Sequence, residues 1–174
     1  SASLGGVGTV DVQTLLAIFQ AGWEWWKNEM AEEPDDERPG EESDHLARVD
    51  EASQQARLAH LQAVLADVNR IGTASLSGED KVNAEIFRTI LEERISDLRF
   101  KTYQTPFNAD SFFWTEFTPR EGLPDQEAYR RYLGRLADVP RYFDEHIANM
   151  RAGLKRGFTV PKVSVMGRDK TIEP

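Results

Sequence analysis

From Asp11 to Met30 the apolar residues Val12, Leu15, Leu16, Phe19, Trp23, Trp26 and Met30 return every three or four positions. That spacing lines one face of a helix, and Asp11 is placed to cap its start. Three tryptophans within this helix make a heavy face that must dock on something large. A second helix is expected from Ser43 or Asp44 to about Ile71, carrying Leu58, Leu61, Val64, Leu65, Val68 and Ile71, with Gly72 as its stop. A third starts at Ser77, which with Asp80 resembles a capping box in which Asp replaces the usual Glu or Gln. Its face of Ile86, Phe87, Ile90, Leu91, Ile95 and Leu98 is wider than a two-helix seam needs, which predicts a central helix.

The period then breaks. Residues 104–123, "QTPFNADSFFWTEFTPREGL", hold two prolines and several turn formers, so they read as a long loop. Five aromatic residues fall in it, and Phe112, Phe113, Trp114 and Phe117 form the candidate binding surface of the chain. The competing reading is that these rings pack on the protein's own helices. Pro124 and Asp125 open a further helix with Tyr129, Leu133 and Leu136 on one stripe. Asp138 then starts a separate last helix, with Pro140 in its first turn, where a missing N–H costs nothing. Phe143, Ile147, Met150 and Leu154 line that helix, Gly157 ends it, and Pro161 blocks its return. The tail 162–174, "KVSVMGRDKTIEP", alternates briefly like a strand. Five helices and almost no strand signal make the class all-α, a single helical segment over 1–174 with helices packed as antiparallel neighbours.

A chain of 174 residues is long enough to bury a core without staples. It has no cysteine, which removes disulfides and thiolate ligands or nucleophiles. No apolar run approaches a membrane span, and "SASLGGVGTVD" lacks the basic and apolar parts of a signal peptide. Seven of the nine net negative charges fall in 31–44, "AEEPDDERPGEESD", which reads as a mobile acidic loop. Calcium would need ligands alternating around a Gly turn, a spacing this loop lacks. No basic face emerges, so nucleic acid is not expected as a partner.

One stretch spells part of a metal motif. "YFDEHIANM", Tyr142–Met150, matches the H-x-x-E-H of an inverted zincin except at its first position, where Tyr142 stands. The three histidines, His45, His60 and His146, lie in separate elements, and none has a second His four residues away. His146 is expected at the edge of the apolar stripe with one hydrogen bond, and Asp144 and Glu145 as solvated groups. No metal ligand and no catalytic residue is assigned, and no cofactor is expected in this chain.

The run "LSGEDKVNAEIFRTILEERISDLRF", then "DSFFW", then "YRRYLGRLADVPRYFDEHIANMRAGLKRGFTVPKV" resembles the N-terminal part of the bacterial family catalogued as domain of unknown function 885. The similarity extends from about Leu15 to the end. It is most specific at Arg135-Leu136 with Pro140, and at Gly153, Gly157 and Pro161. Such proteins are longer and largely helical, are often exported, and look like zinc-dependent peptidases whose H-E motif lies in the C-terminal half. The resemblance therefore implies a helical segment of a peptidase-like hydrolase, inactive alone, with zinc and a peptide substrate belonging to the full-length protein. It favours a periplasmic or secreted location. Expected partners are the remainder of its own polypeptide or a second copy, and the rival reading is a self-standing helical interaction module.

Overall fold

The computed structural model describes residues 5–31, 43–71, 76–107, 112–113 and 122–167, with side chains described from residue 12 onward. Five α-helices account for most of them: α1 (Gly5–Met30), α2 (Glu51–Ile71), α3 (Gly78–Phe100), α4 (Gln126–Lys155) and the single turn α5 (Lys162–Val165). A 3-10 turn, Thr102–Gln104, follows α3, and no strand occurs among the described residues. The protein is all-α. It divides into two compact units, one of residues 1–29 and 52–100, the other of 30–51 and 101–174. The expected acidic loop lies almost wholly outside the described residues, as do Trp114, Phe117 and the end of the tail.

In unit 1, α1 runs antiparallel to α2 and parallel to α3. Trp25 stacks on His60 at 3.7 Å and Glu29 accepts from Arg57 Nε at 2.9 Å, so numbers rise along α1 as they fall along α2. Phe19 meets Phe87 at 4.3 Å and Trp26 lies under Arg94 at 3.8 Å, so numbers rise together along α1 and α3. Consecutive helices are thus antiparallel, and Leu15, Leu61, Val68, Ala84, Leu91 and Ile95 form the buried core between them. Burying a Leu side chain of this kind contributes roughly 2 kcal/mol.

Several expected boundaries move. α1 is already helical from Gly5, so Asp11 stands inside it; the glycines there weaken a helix but only proline would forbid it. On α1 it is Trp25, rather than Trp23, that packs inward with Trp26, while Leu16 and Trp23 are exposed. α2 begins at Glu51, not at 43 or 44, and its core stripe is prolonged by buried Gln54 and Arg57. The broad face of α3 divides: Ala84, Leu91 and Ile95 are buried, but Val82, Ile86 and Ile90 are exposed, so α3 is not enclosed on all sides.

The larger correction is in unit 2, where the two helices expected on either side of Asp138 are one 30-residue helix with Pro140 inside it. An interior proline removes a hydrogen bond and costs about 3 kcal/mol. Asp138 and Arg141, which bracket it, are both anchored on the chain at Leu46, and this holds the helical course. Asp125 caps the start of α4, accepting from Ala128 N–H at 2.8 Å. The end is a Schellman turn: Gly157, at φ +75°, donates to the Leu154 carbonyl and Phe158 to that of Gly153. Where a strand-like alternation was read, residues 162–165 form the helical turn α5 after Pro161, whose carbonyl accepts from Ser164 at 2.9 Å.

Candidate functional site

Among the described residues of unit 2, a cluster of charged groups lies along α4. Asp138, Arg141, Glu145 and Asn149 follow one another at three- and four-residue steps, which places them on one helix face. Across that face runs the irregular segment 43–50, with Leu46, Ala47 and Val49 buried. A buried segment without secondary structure must find partners for its peptide groups elsewhere, and α4 supplies them. Asp138 accepts from Leu46 N–H (2.9 Å) and Glu145 from Val49 N–H (2.7 Å). Arg141 donates to the carbonyls of Leu46 (2.7 Å) and Ala47 (3.4 Å), and Asn149 to that of Val49 (2.6 Å). Arg141 also joins the two carboxylates, at 2.9 Å from Asp138 and 3.1 Å from Glu145, and Arg48 closes on Glu145 at 2.9 Å.

The segment comes so near that Gly134 is required: a Cβ there would stand 2.3 Å from the Asp44 carbonyl oxygen. Gly153 serves the same purpose a few turns on, where a Cβ would meet the Phe158 carbonyl at 2.7 Å and Gln104 at 3.0 Å.

These contacts set the protonation of the cluster. Burial alone would raise the Glu145 carboxyl, but the Val49 N–H, Arg141 and Arg48 outweigh it and hold it below the usual range. Burial likewise opposes ionisation of Asp138, and is outweighed by Arg141, the Leu46 N–H and the charges of Arg141 and His45. Burial would lower Arg141, and its bonds to Asp138 and Glu145 raise it instead. Both carboxylates therefore stay ionised and engaged, a poor condition for general acids or bases. Glu145 was expected in solvent; its side chain is only 10 % exposed, because it holds the Val49 peptide, while Asp144 is exposed as read.

His146 sits beside this cluster and is also unlike its expectation. It is 6 % exposed rather than at an edge, and among the described residues neither ring nitrogen has a hydrogen-bond partner. Its ring stacks on Phe113 at 4.0 Å and meets the edge of Tyr142 at 4.5 Å. Burial pushes its pKa down to about 4 against the pull of Glu145, so it is neutral over the ordinary pH range. Of the aromatic candidate surface, Phe113 faces inward, with Tyr142 and Phe143 at 6.0 and 5.1 Å, and Phe112 stacks on Phe107 at 6.5 Å. Trp114 and Phe117 fall outside the described residues.

The other histidines are elsewhere: His45, exposed, holds Ser43 (2.8 Å) and Asp44 (3.0 Å), and His60 is stacked on Trp25. Among the described residues no three His, Asp or Glu gather around a point where a metal ion could sit. The donor set here does not fit zinc, which asks for three convergent protein ligands. No helix among the described residues is long and apolar enough to cross a membrane.

Residues 35–172 match the family model described as bacterial protein of unknown function, DUF885. The chain belongs to this family. No curated protein and no solved structure matches it. Within the DUF885 chain, Arg135, Gly153, Gly157 and Pro161, singled out in the sequence, have structural places. Arg135 is buried on α4, Gly153 admits Gln104, Gly157 turns the chain and Pro161 precedes α5. Arg141, Asn149 and Gly134 were not singled out, and Asp138 was read only as a helix start. Their signal was present as a polar stripe on an amphipathic helix and a glycine within it, which reads as solvated surface until its partner is known.

Proposed function

We propose that this chain is a helical, non-catalytic segment of a zinc-dependent, peptidase-like hydrolase, and that zinc and the peptide substrate engage other residues of the full-length protein. Membership of DUF885 supports the reading. The observation that carries it is the use made of the charged groups on α4. Asp138, Arg141 and Glu145, which stand close together on α4, are engaged in holding the peptide groups of 46–49. His146 is neutral and covered by Phe113. With those groups occupied, the contribution of this segment is architectural.

The test is peptide hydrolysis with added zinc, comparing this chain with a longer DUF885 protein that carries an H-E-x-x-H motif. Activity only in the longer protein is expected; turnover by this chain alone would sink the reading. A second reading, a self-standing interaction module, is favoured by exposed Val82, Ile86 and Ile90, which follow one another at four-residue steps on α3. Sedimentation of wild type and Ile86→Lys tests that face: association abolished by the substitution assigns self-association to it, and a monomer in both cases argues against the module.

A further inference from the structure

The three helices of unit 1 leave a cavity of about 240 Å³ between them. Its walls are rings from two helices, Phe19, Trp23 and Trp25 of α1 and Phe87 of α3, with two nitrogen-bearing side chains, His60 of α2 and Arg94 of α3. No residue lining it carries a carboxylate. Both nitrogen-bearing groups are held by aromatic faces: the Arg94 guanidinium lies 3.8 Å from the Trp26 centroid, and the His60 ring 3.7 Å from that of Trp25.

Gly22 widens the cavity. A glycine inside a helix costs about 1 kcal/mol relative to alanine, and here a Cβ would meet only Phe87 Cζ, at an ordinary 3.5 Å. Neither positive φ nor backbone contact demands it. What its missing side chain leaves is space beside an aromatic wall.

We propose that this cavity is a binding site for a small aryl carboxylate, one aromatic ring on a short acid arm. A dry apolar cavity of about 150 Å³ admits benzene, so the larger volume here takes a ring and two or three further carbons. The ring lies among Phe19, Trp23 and Phe87, and the carboxylate accepts from Arg94 and from the N–H of His60. Apolar walls with a few placed polar groups are the usual composition of a small-molecule site. The Arg94 guanidinium at the cavity wall sets the preference for an anion over an alcohol or amine of the same shape. This inference is independent of the hydrolase reading.

Titration calorimetry of the intact chain with phenylpropionate, phenylpropanol and phenylpropylamine tests it. The acid is expected to bind with Kd on the order of 0.1 mM, consistent with the efficiency of small ligands, and at least about tenfold more tightly than the alcohol or amine. Arg94→Gln is expected to bring the acid down to the affinity of the alcohol, and Arg94→Lys to keep part of the preference. Ile90→Trp, which fills the cavity from its wall, is expected to abolish binding of acid and alcohol alike. Circular dichroism and melting confirm that each variant is folded before it is titrated. Absence of binding to the folded wild type at millimolar acid, equal affinity for acid and alcohol, or full retention of the preference in folded Arg94→Gln would each overturn the proposal.

Discussion

In the bundle of α1, α2 and α3, the contacts that matter are between side chains: Leu61 and Leu91 in the core, Phe19 against Phe87, Trp25 against His60. On α4 the corresponding contacts run from side chains to peptide groups, from Asp138, Arg141, Glu145 and Asn149 to residues 46–49. Burial of apolar surface is non-directional and tolerant of small displacements. Hydrogen bonds to a buried main chain demand a donor or acceptor at each position, and losing one leaves its partner unsatisfied. The two units of one chain therefore differ in what dominates their sensitivity: volume in the first, where Arg57 with Glu29 is a charged exception among the contacts described, and charge and pH in the second.

Spectroscopy can read them apart, because three of the four tryptophans lie in unit 1 and all four tyrosines in unit 2. The largest effect is expected from Leu91→Ala. Leu91 is 3 % exposed, and a cavity at such a site costs about 2–5 kcal/mol. Urea unfolding followed by tryptophan fluorescence should show this loss at neutral and at mildly acid pH alike. A loss that doubled on acidification would erase the contrast between the units.

Next comes acidification of the wild type, followed by tyrosine signal. His146 is held near pKa 4 in the folded state against 6.5 unfolded. The unfolded chain therefore takes up a proton below pH 6.5 that the folded chain refuses until about pH 4. Stability falls as pH drops through that window, by up to roughly 3 kcal/mol at its lower end. Asp138 and Glu145 act lower still. Their depressed carboxyls contribute stability above the unfolded values of 3.8 and 4.5, and that contribution is lost as pH falls through their folded values. In His146→Phe the decline between about pH 6.5 and pH 4 should flatten; an unchanged slope would show that His146 is not its source.

Glu145→Ala should cost about 2 kcal/mol at neutral pH, since it removes the acceptor of the Val49 N–H and one partner each of Arg141 and Arg48. The tyrosine transition should move and the tryptophan transition should not. Asp125→Ala, which removes the cap of α4, is the smallest, about 1 kcal/mol, read by the same probe. A shift equal to that of Glu145→Ala would mean that the cluster on α4 is worth no more than a cap.

The same division decides what could be read before the structure was known. The helices of unit 1 were legible because Leu61, Val68, Leu91 and Ile95 recur with the helical period, and the capping of α3 because Ser77 and Asp80 stand three apart, where Asp80 N–H does donate to Ser77 Oγ at 3.3 Å. Gly153, Gly157 and Pro161 were legible by their residue types. Segment 43–50 was not, since peptide groups leave no trace in side-chain pattern and Asp44 resembles a helix cap. Glu145 and Arg141 were missed for the same reason, as charged residues on a helix look the same whether they face water or a buried peptide. Of the aromatic loop, the rings were visible but their direction was not, and Phe113 turns out to cover His146.

Pro140 carries a consequence for how α4 opens. It has no amide hydrogen to give, so the Leu136 carbonyl lacks its intrahelical donor and the ladder of α4 has a missing rung. The side chains on either side of that rung, Asp138 and Arg141, both grip Leu46. The segment that looks like a passenger on the helix thus acts as its splint. Amide exchange in the two halves of α4 should be coordinated while the splint is seated and become independent once Asp138 or Arg141 releases it.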